Sequence, residues 1–172
     1  MIPARAVVDT NVVVVSDGRS PEVPEACAAD CAAALGTIVT RGHLFVDDAG
    51  AIVDEYRRNV SLDGEPGVGR AFLKWVLTNE WNPSRVTRVP ITPIDDGTRG
   101  FAELPAPPRG VRYDPADRKF LAVAAAHPEH PPIVQATDSK WWAWREALAA
   151  AGVKIHFVCP RTTAPADEDA TT

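Results

Sequence analysis

The sequence predicts an α/β fold of three layers, α/β/α, around a central, mostly parallel sheet. Three observations carry this. Short β-branched and apolar runs alternate with longer stretches of helical pattern along the whole chain. The strand-like runs are apolar throughout, as strands covered by helices on both faces are. Two of them end on an aspartate, Asp9 and Asp138, each beside a threonine, Thr10 and Thr137.

The elements follow in order. Ala6, Val7 and Val8 lead into Asp9, and a second β-branched run at 12–15 leaves it; both read as buried parallel strand. Ser20 and Pro21 fit the N-cap and first position of a helix that continues through the alanine-rich stretch 23–40 and stops near Gly42. HLFVDD is a short strand, and AGAIVDEYRRNV a helix with Ile52, Val53, Tyr56 and Val60 on its apolar side. Asp47 and Asp48 suit a loop or helix start better than a ligand role. Residues 68–81 form a helix with Phe72, Trp75, Val76 and Asn79 along one side, and RVTRVPI a strand cut short by Pro90. A Pro- and Gly-rich loop of low order covers 92–113. In DPADRKFLAVAAAH, Asp114 fits N-cap, Pro115 the first position and Asp117 the third. PPIVQATD is a strand ending on Asp138. SKWWAWREALAAAG is a helix closed by Gly152, with Trp141, Trp144 and Leu148 facing the core and Trp142 another side. VKIHFVCP is the last strand. One domain spans 1–160, and a flexible acidic tail spans 161–172.

Bulk properties exclude some classes. No apolar run is long enough to span a membrane, and no secretory signal opens the chain. The net charge of −5 includes Asp167, Glu168 and Asp169 in the tail, so the body is only mildly acidic and does not advertise nucleic-acid binding through bulk charge. The three cysteines point to a reducing cytoplasm. Cys27 and Cys31 lie four apart in a helical stretch, with Cys159 remote; they read as small buried hydrophobes, and a metal site on Cys27 and Cys31 is the sharper alternative. His127 and His130 flank Pro128 in what reads as a solvated loop.

The carboxylates carry the chemistry. Ligands of open parallel sheets bind outside the carboxyl ends of the strands, where Asp9 and Asp138 fall. Asp54 and Glu55 on one helix, and Asp114 and Asp117 on another, add four more. Clustered carboxylates repel unless a cation lies among them, and an all-oxygen set suits Mg²⁺ or Mn²⁺. VVDTNVVV, IVDEYRRNV, DPADRKFLAVA and IVQATDSKWW, in that order and each in its own element, together with the final GVKIHFVCP, resemble the PIN-domain nuclease family over about residues 5–160. The resemblance implies that Asp9, Glu55, Asp117 and Asp138 bind one or two Mg²⁺ or Mn²⁺ ions and cleave phosphodiester bonds, in RNA more often than DNA, with Thr10, Asn11 and Thr137 in support. Arg57, Arg58, Arg118, Lys119 and Lys140 are candidate phosphate contacts, being close in sequence to those acids. The family's bacterial toxins are shorter; the extra length here lies between Glu55 and Asp117. An antitoxin or other protein partner and a homodimer are assemblies the resemblance leaves open.

Two other classes compete. One is a PIN-like module that has lost catalysis and serves as a scaffold. The other is a metal-dependent phosphohydrolase with an aspartyl nucleophile; such enzymes usually carry a second aspartate two residues on, where this chain has Asn11.

Overall fold

The computed structural model describes residues 1–160; the predicted acidic tail lies outside the described residues. Among these, five parallel strands form one sheet: β1 (Arg5–Val8), β2 (His43–Asp47), β3 (Val86–Val89), β4 (Ile133–Gln135) and β5 (Ile155–Phe157), in the order β3-β2-β1-β4-β5. Six helices cover it: α1 (Thr10–Val15), α2 (Glu25–Arg41), α3 (Ala51–Asn59), α4 (Val68–Asn79), α5 (Arg118–Ala126) and α6 (Ser139–Ala150). Helices α1 to α4 pack on one another, α5 lies against β1, β2 and β4, and α6 against β5. The architecture is the three-layer α/β/α arrangement the sequence predicts.

The strand order reverses at β1. Chain order runs outward from β1 through β2 to β3, then returns to place β4 on the other side of β1. The crevice between β1 and β4 is therefore the topological switch point, where open parallel sheets bind ligands. Asp9 follows β1 and continues the pairing, its amide donating to Val134 O at 2.9 Å. Asp138 follows β4 after a short turn.

Three local expectations are corrected. The valine run after Asp9 is helix α1, not strand. β-Branched residues are poor helix formers by a few tenths of a kcal/mol each. Val12 and Val13 are completely buried and Val15 nearly so, and burying a valine gains about 1.5 kcal/mol or more, so tertiary packing decides. Helix α2 begins at Glu25, four residues beyond the expected first position at Pro21, with Pro24 at its N-cap. A helix through Pro24 would drive its ring into the Ser20 carbonyl; instead that carbonyl accepts the Val23 amide in a turn, at 3.0 Å. Helix α5 begins at Arg118, with Asp117 rather than Asp114 at N-cap. The Asp117 amide bonds the Asp114 carbonyl at 3.0 Å, which closes 114–117 as a separate tight turn.

The loop at 92–113 is more ordered than its composition suggests. Pro93 and Phe101 pair across an antiparallel bridge, the Glu103 carboxylate accepts the Thr92 amide, and Leu104 and Tyr113 are buried in the core. Two glycines act as expected. A Cβ on Gly42 would lie 2.2 Å from Ala4 O, so only glycine lets α2 turn this tightly into β2. Gly152 takes φ 82 just beyond α6, the left-handed stop that glycine tolerates.

Asp47 is a helix-start residue, one of the two uses expected of it. It is completely buried at the end of β2, and its two oxygens accept the amides of Ala51 and Ile52, each at 2.8 Å. It thus fixes the start of α3, the helix that carries Glu55. Tyr56 ties α3 to β1 by donating its hydroxyl to Val8 O at 2.5 Å. Asp47→Ala should lower unfolding stability by about 2 kcal/mol, as for a lost cap that leaves buried amides unpaired. Urea denaturation checks this, and a change within error of zero would remove Asp47 from that role.

Candidate metal and active site

Three of the expected acids occupy equivalent places: Asp9, Asp117 and Asp138 are the N-cap residues of α1, α5 and α6. An N-cap side chain ordinarily turns back to the free amides of its own helix. Asp138 does so, accepting the Lys140 amide at 3.0 Å. Asp9 and Asp117 make no such bond, so their carboxylates are left for the crevice. Glu55 arrives from α3. All four line one cavity of about 340 Å³ with Thr10, Asn11, Val14 and Asn59.

The surroundings of each acid differ. Asp9 is 6 % exposed; burial, and then the charges of Asp117 and Glu55, push its carboxyl from 3.8 to about 8. Asp117 is pushed from 3.8 to about 6, chiefly by burial, against the opposing pull of Lys140. Its Oδ2 is buried with no hydrogen-bond partner. Glu55 is held from two sides, accepting the Thr10 hydroxyl at 2.7 Å and pairing with the Lys119 ammonium. Lys140 spans the other side, its Nζ lying 2.8 Å from Asp114, 3.2 Å from Asp138 and 3.6 Å from Asp117. Those acids, the Asp114 hydrogen bond first, hold the lysine's pKa above its ordinary value.

An all-oxygen set is the kind of donor chemistry a hard divalent cation takes, and Asp117 Oδ2, buried without a hydrogen bond, lies 3.6 Å from the Lys140 ammonium. The oxygens of the four acids are not drawn together into a ligand shell, however. Among the described residues, the group of three ligand atoms all within 4.8 Å of one another is sulfur: Cys27, Cys31 and Cys159. Lys140 lies among Asp114, Asp117 and Asp138, and Lys119 pairs with Glu55.

The remaining expected site residues divide. Thr10 and Asn11 line the cavity. Asn11 also accepts the Ala136 amide at 3.3 Å, which ties α1 across the crevice to the residue after β4. Thr137 lies outside the cavity lining. Of the candidate phosphate contacts, Arg118 is corrected. It is buried and donates its Nε to Tyr113 O at 3.1 Å, because α5 starts late and turns this residue inward. Lys119 is mostly covered and pairs with Glu55, whereas Lys140 is half-exposed and reaches the site carboxylates from the rim. Arg57 pairs with Asp54 at 3.2 Å, and Arg58 is exposed. Asn59 is the lining residue the sequence reading missed. It stands one helical turn after Glu55, whose carbonyl its amide bonds at 2.9 Å, and that spacing could have revealed it.

The aromatic and cysteine expectations also resolve. Trp141, Trp144 and Leu148 are core, and Trp142 is partly covered by Phe157, with ring centroids 4.9 Å apart. His127 packs on Phe45 with centroids 4.7 Å apart. The remote Cys159 is corrected: it is disulfide-bonded to Cys27, and Cys31 is the buried free thiol, pushed up to about 12 by burial. Among the described residues no helix is long and apolar enough to cross a membrane.

Comparisons with family models, curated proteins and solved structures found no match for the chain.

The raised acids set a pH dependence. Between 3.8 and about 8, the folded chain keeps a proton on Asp9 that the unfolded chain has released. Stability of the metal-free protein should therefore fall as pH rises through this window. Asp9→Asn should flatten the fall. Added Mg²⁺ or Mn²⁺ should raise Tm more at the alkaline end, where the ion no longer competes with that proton. Thermal melts across the window check both statements; a profile unchanged by Asp9→Asn would contradict them.

Proposed function

We propose that the chain is a metal-dependent nuclease, acting on RNA as an endoribonuclease. One observation carries the reading: four carboxylates from four separate elements line a single cavity at the switch point of a parallel sheet. The PIN-domain resemblance assigns the same four residues. Asp9, Asp117 and Asp138 would hold Mg²⁺ or Mn²⁺. When bound, such an ion supplies charge neutralisation for the phosphoryl transition state and a more acidic water.

The chain's own groups do the rest. Glu55, held by Thr10 and Lys119, would either ligate the ion or orient the attacking water. Asn11 holds the α1 start against the end of β4, and so sets the separation of Asp9 and Asp138. Arg57 and Arg58, on the same helix as Glu55, are the basic groups best placed to meet the backbone phosphates of a strand entering the cavity. An antitoxin, another protein partner or a second copy of the chain remains a proposal within this reading, as does a cytoplasmic setting.

A second reading, a PIN-like scaffold without catalysis, draws on the two lysines. Lys119 and Lys140 already compensate part of the acidic charge, which a metal would do in an active enzyme. For the aspartyl-nucleophile phosphohydrolase, Asn11 is tied to Ala136 and supplies no second carboxylate.

The test is cleavage of mixed RNA and DNA substrates with Mg²⁺ or Mn²⁺, and its loss on chelation. Asp9→Asn should abolish turnover and keep the fold, since the amide preserves shape without the charge that holds a cation. Near wild-type turnover in that variant, or no metal-dependent cleavage in the wild type, would sink the nuclease reading. Asp117→Asn should also remove metal-dependent cleavage. Asp114→Asn should keep most of it, because Asp114 is outside the cavity lining, accepting the Ala116 amide at 3.0 Å and the Lys140 ammonium. The reverse pattern would transfer the metal role to Asp114.

A further inference from the structure

We propose that Cys27, Cys31 and Cys159, when reduced, form a zinc site, and that the Cys27–Cys159 disulfide is the alternative, metal-free state of the same residues. The three sulfur atoms all lie within 4.8 Å of one another and are buried. Cys27 and Cys31 are one helical turn apart on α2, so they share a face, and their separation falls within the spacing common to paired zinc cysteines. Cys159 comes from just beyond β5. Its Sγ is 3.9 Å from that of Cys31. Two thiolates on a tetrahedral zinc, with Zn–S near 2.3 Å, are about 3.8 Å apart, so this pair already stands at ligand separation.

The site has an entry path. A cavity of about 490 Å³ opens over the disulfide, lined by Cys27, Cys159, Asp30 and apolar neighbours. It shares no lining residue with the acidic cavity. The fourth zinc position would face this space and take the Asp30 carboxylate or a water. Cys27 lies in the first turn of α2, where the helix dipole favours a thiolate. Soft sulfur ligands prefer zinc to Mg²⁺ or Mn²⁺, so the two sites would not compete for one ion.

Conversion between the states is a two-electron change. An external dithiol gives up two electrons and two protons and closes to its own disulfide. The Cys27–Cys159 bond breaks, and each sulfur takes a proton. Zinc then displaces the protons of three thiols as three Zn–S bonds form. The sites are independent, and loss of either leaves the other standing.

The test uses the full chain, reduced with a phosphine under argon and titrated with Co²⁺, then Zn²⁺. Thiolate-to-cobalt charge transfer with tetrahedral d–d bands is expected, erased by one equivalent of zinc, and one zinc per chain should survive gel filtration. Cys31→Ser should weaken zinc binding at least tenfold, whereas Asp9→Asn should leave it unchanged. Without reductant the chain should show no cobalt band and a single titratable thiol in denaturant. A reduced native chain without the charge-transfer band overturns the zinc site, as does a Cys31→Ser variant that binds zinc as tightly as wild type. Three titratable thiols without reductant overturn the disulfide state. The wild-type cobalt spectrum decides the matter even if Cys31→Ser fails to fold.

Discussion

Carboxylates gathered in one crevice repel one another, and at 4 Å two like charges cost about 4 kcal/mol at an effective dielectric of 20. The mouth of the sheet is built around that repulsion. Burial adds to it: Asp9 is the most buried of the four acids, and burial first, then the charges of Asp117 and Glu55, raise its carboxyl to about 8. Asp117, less buried, yields at about 6. Lys119 takes charge from Glu55, and Lys140 from Asp117 and Asp138. The result is a set of acids at one place that are held apart, a state a divalent cation would change by replacing two separate ammonium contacts with one central charge.

Delivering the acids to this place depends on helix starts more than on strands. β1 ends before Asp9, and the short α1 turns away at once, so the acid stands at the junction with its backbone still paired to β4. Asp138 stands at a similar junction between β4 and α6, and Asp117 starts α5 after the tight turn at 114–117. Asp47 performs the complementary task for Glu55: it spends its own carboxylate on the amides of α3. Four acids, Asp9, Asp47, Asp117 and Asp138, thus occupy strand ends or helix starts, and their hydrogen bonds separate the roles. Asp47 and Asp138 cap amides, whereas Asp9 and Asp117 do not.

The fold was legible in the sequence because strand and helix periods alternate; Asp9 and Asp138 stood out as acids at strand ends, whereas Glu55 and Asp117 were chosen over Asp54 and Asp114 by the family resemblance. The misses have physical causes. The valine run at 12–15 carries strand propensity, yet tertiary burial makes it helical. Ser20 and Pro21 form a plausible start that Pro24 vetoes. Asp114 and Asp117 both suit a cap on local grounds, and the tight turn between them, not composition, chooses Asp117. Arg118 looked like a phosphate contact because it is basic and directly follows Asp117; in the fold it is buried, with its Nε donating to Tyr113 O. Cys159 pairs with Cys27 across 132 residues, a contact that exists only once β5 lies beside β4 and no local pattern announces.

The two lysines are not equivalent. The Lys140 side chain is 46 % exposed, so it can leave its three carboxylates for water at little cost, and an exposed ion pair is worth about 1 kcal/mol or less. The Lys119 side chain is 12 % exposed and bound to a Glu55 that Thr10 also holds, so releasing it means breaking a small, mostly covered network. A cation entering the crevice therefore meets a side that gives way, at Asp117 and Asp138, and a side that stays in place, at Glu55. In the nuclease reading proposed above, that asymmetry separates Asp117 and Asp138, whose lysine can leave, from Glu55, whose lysine stays.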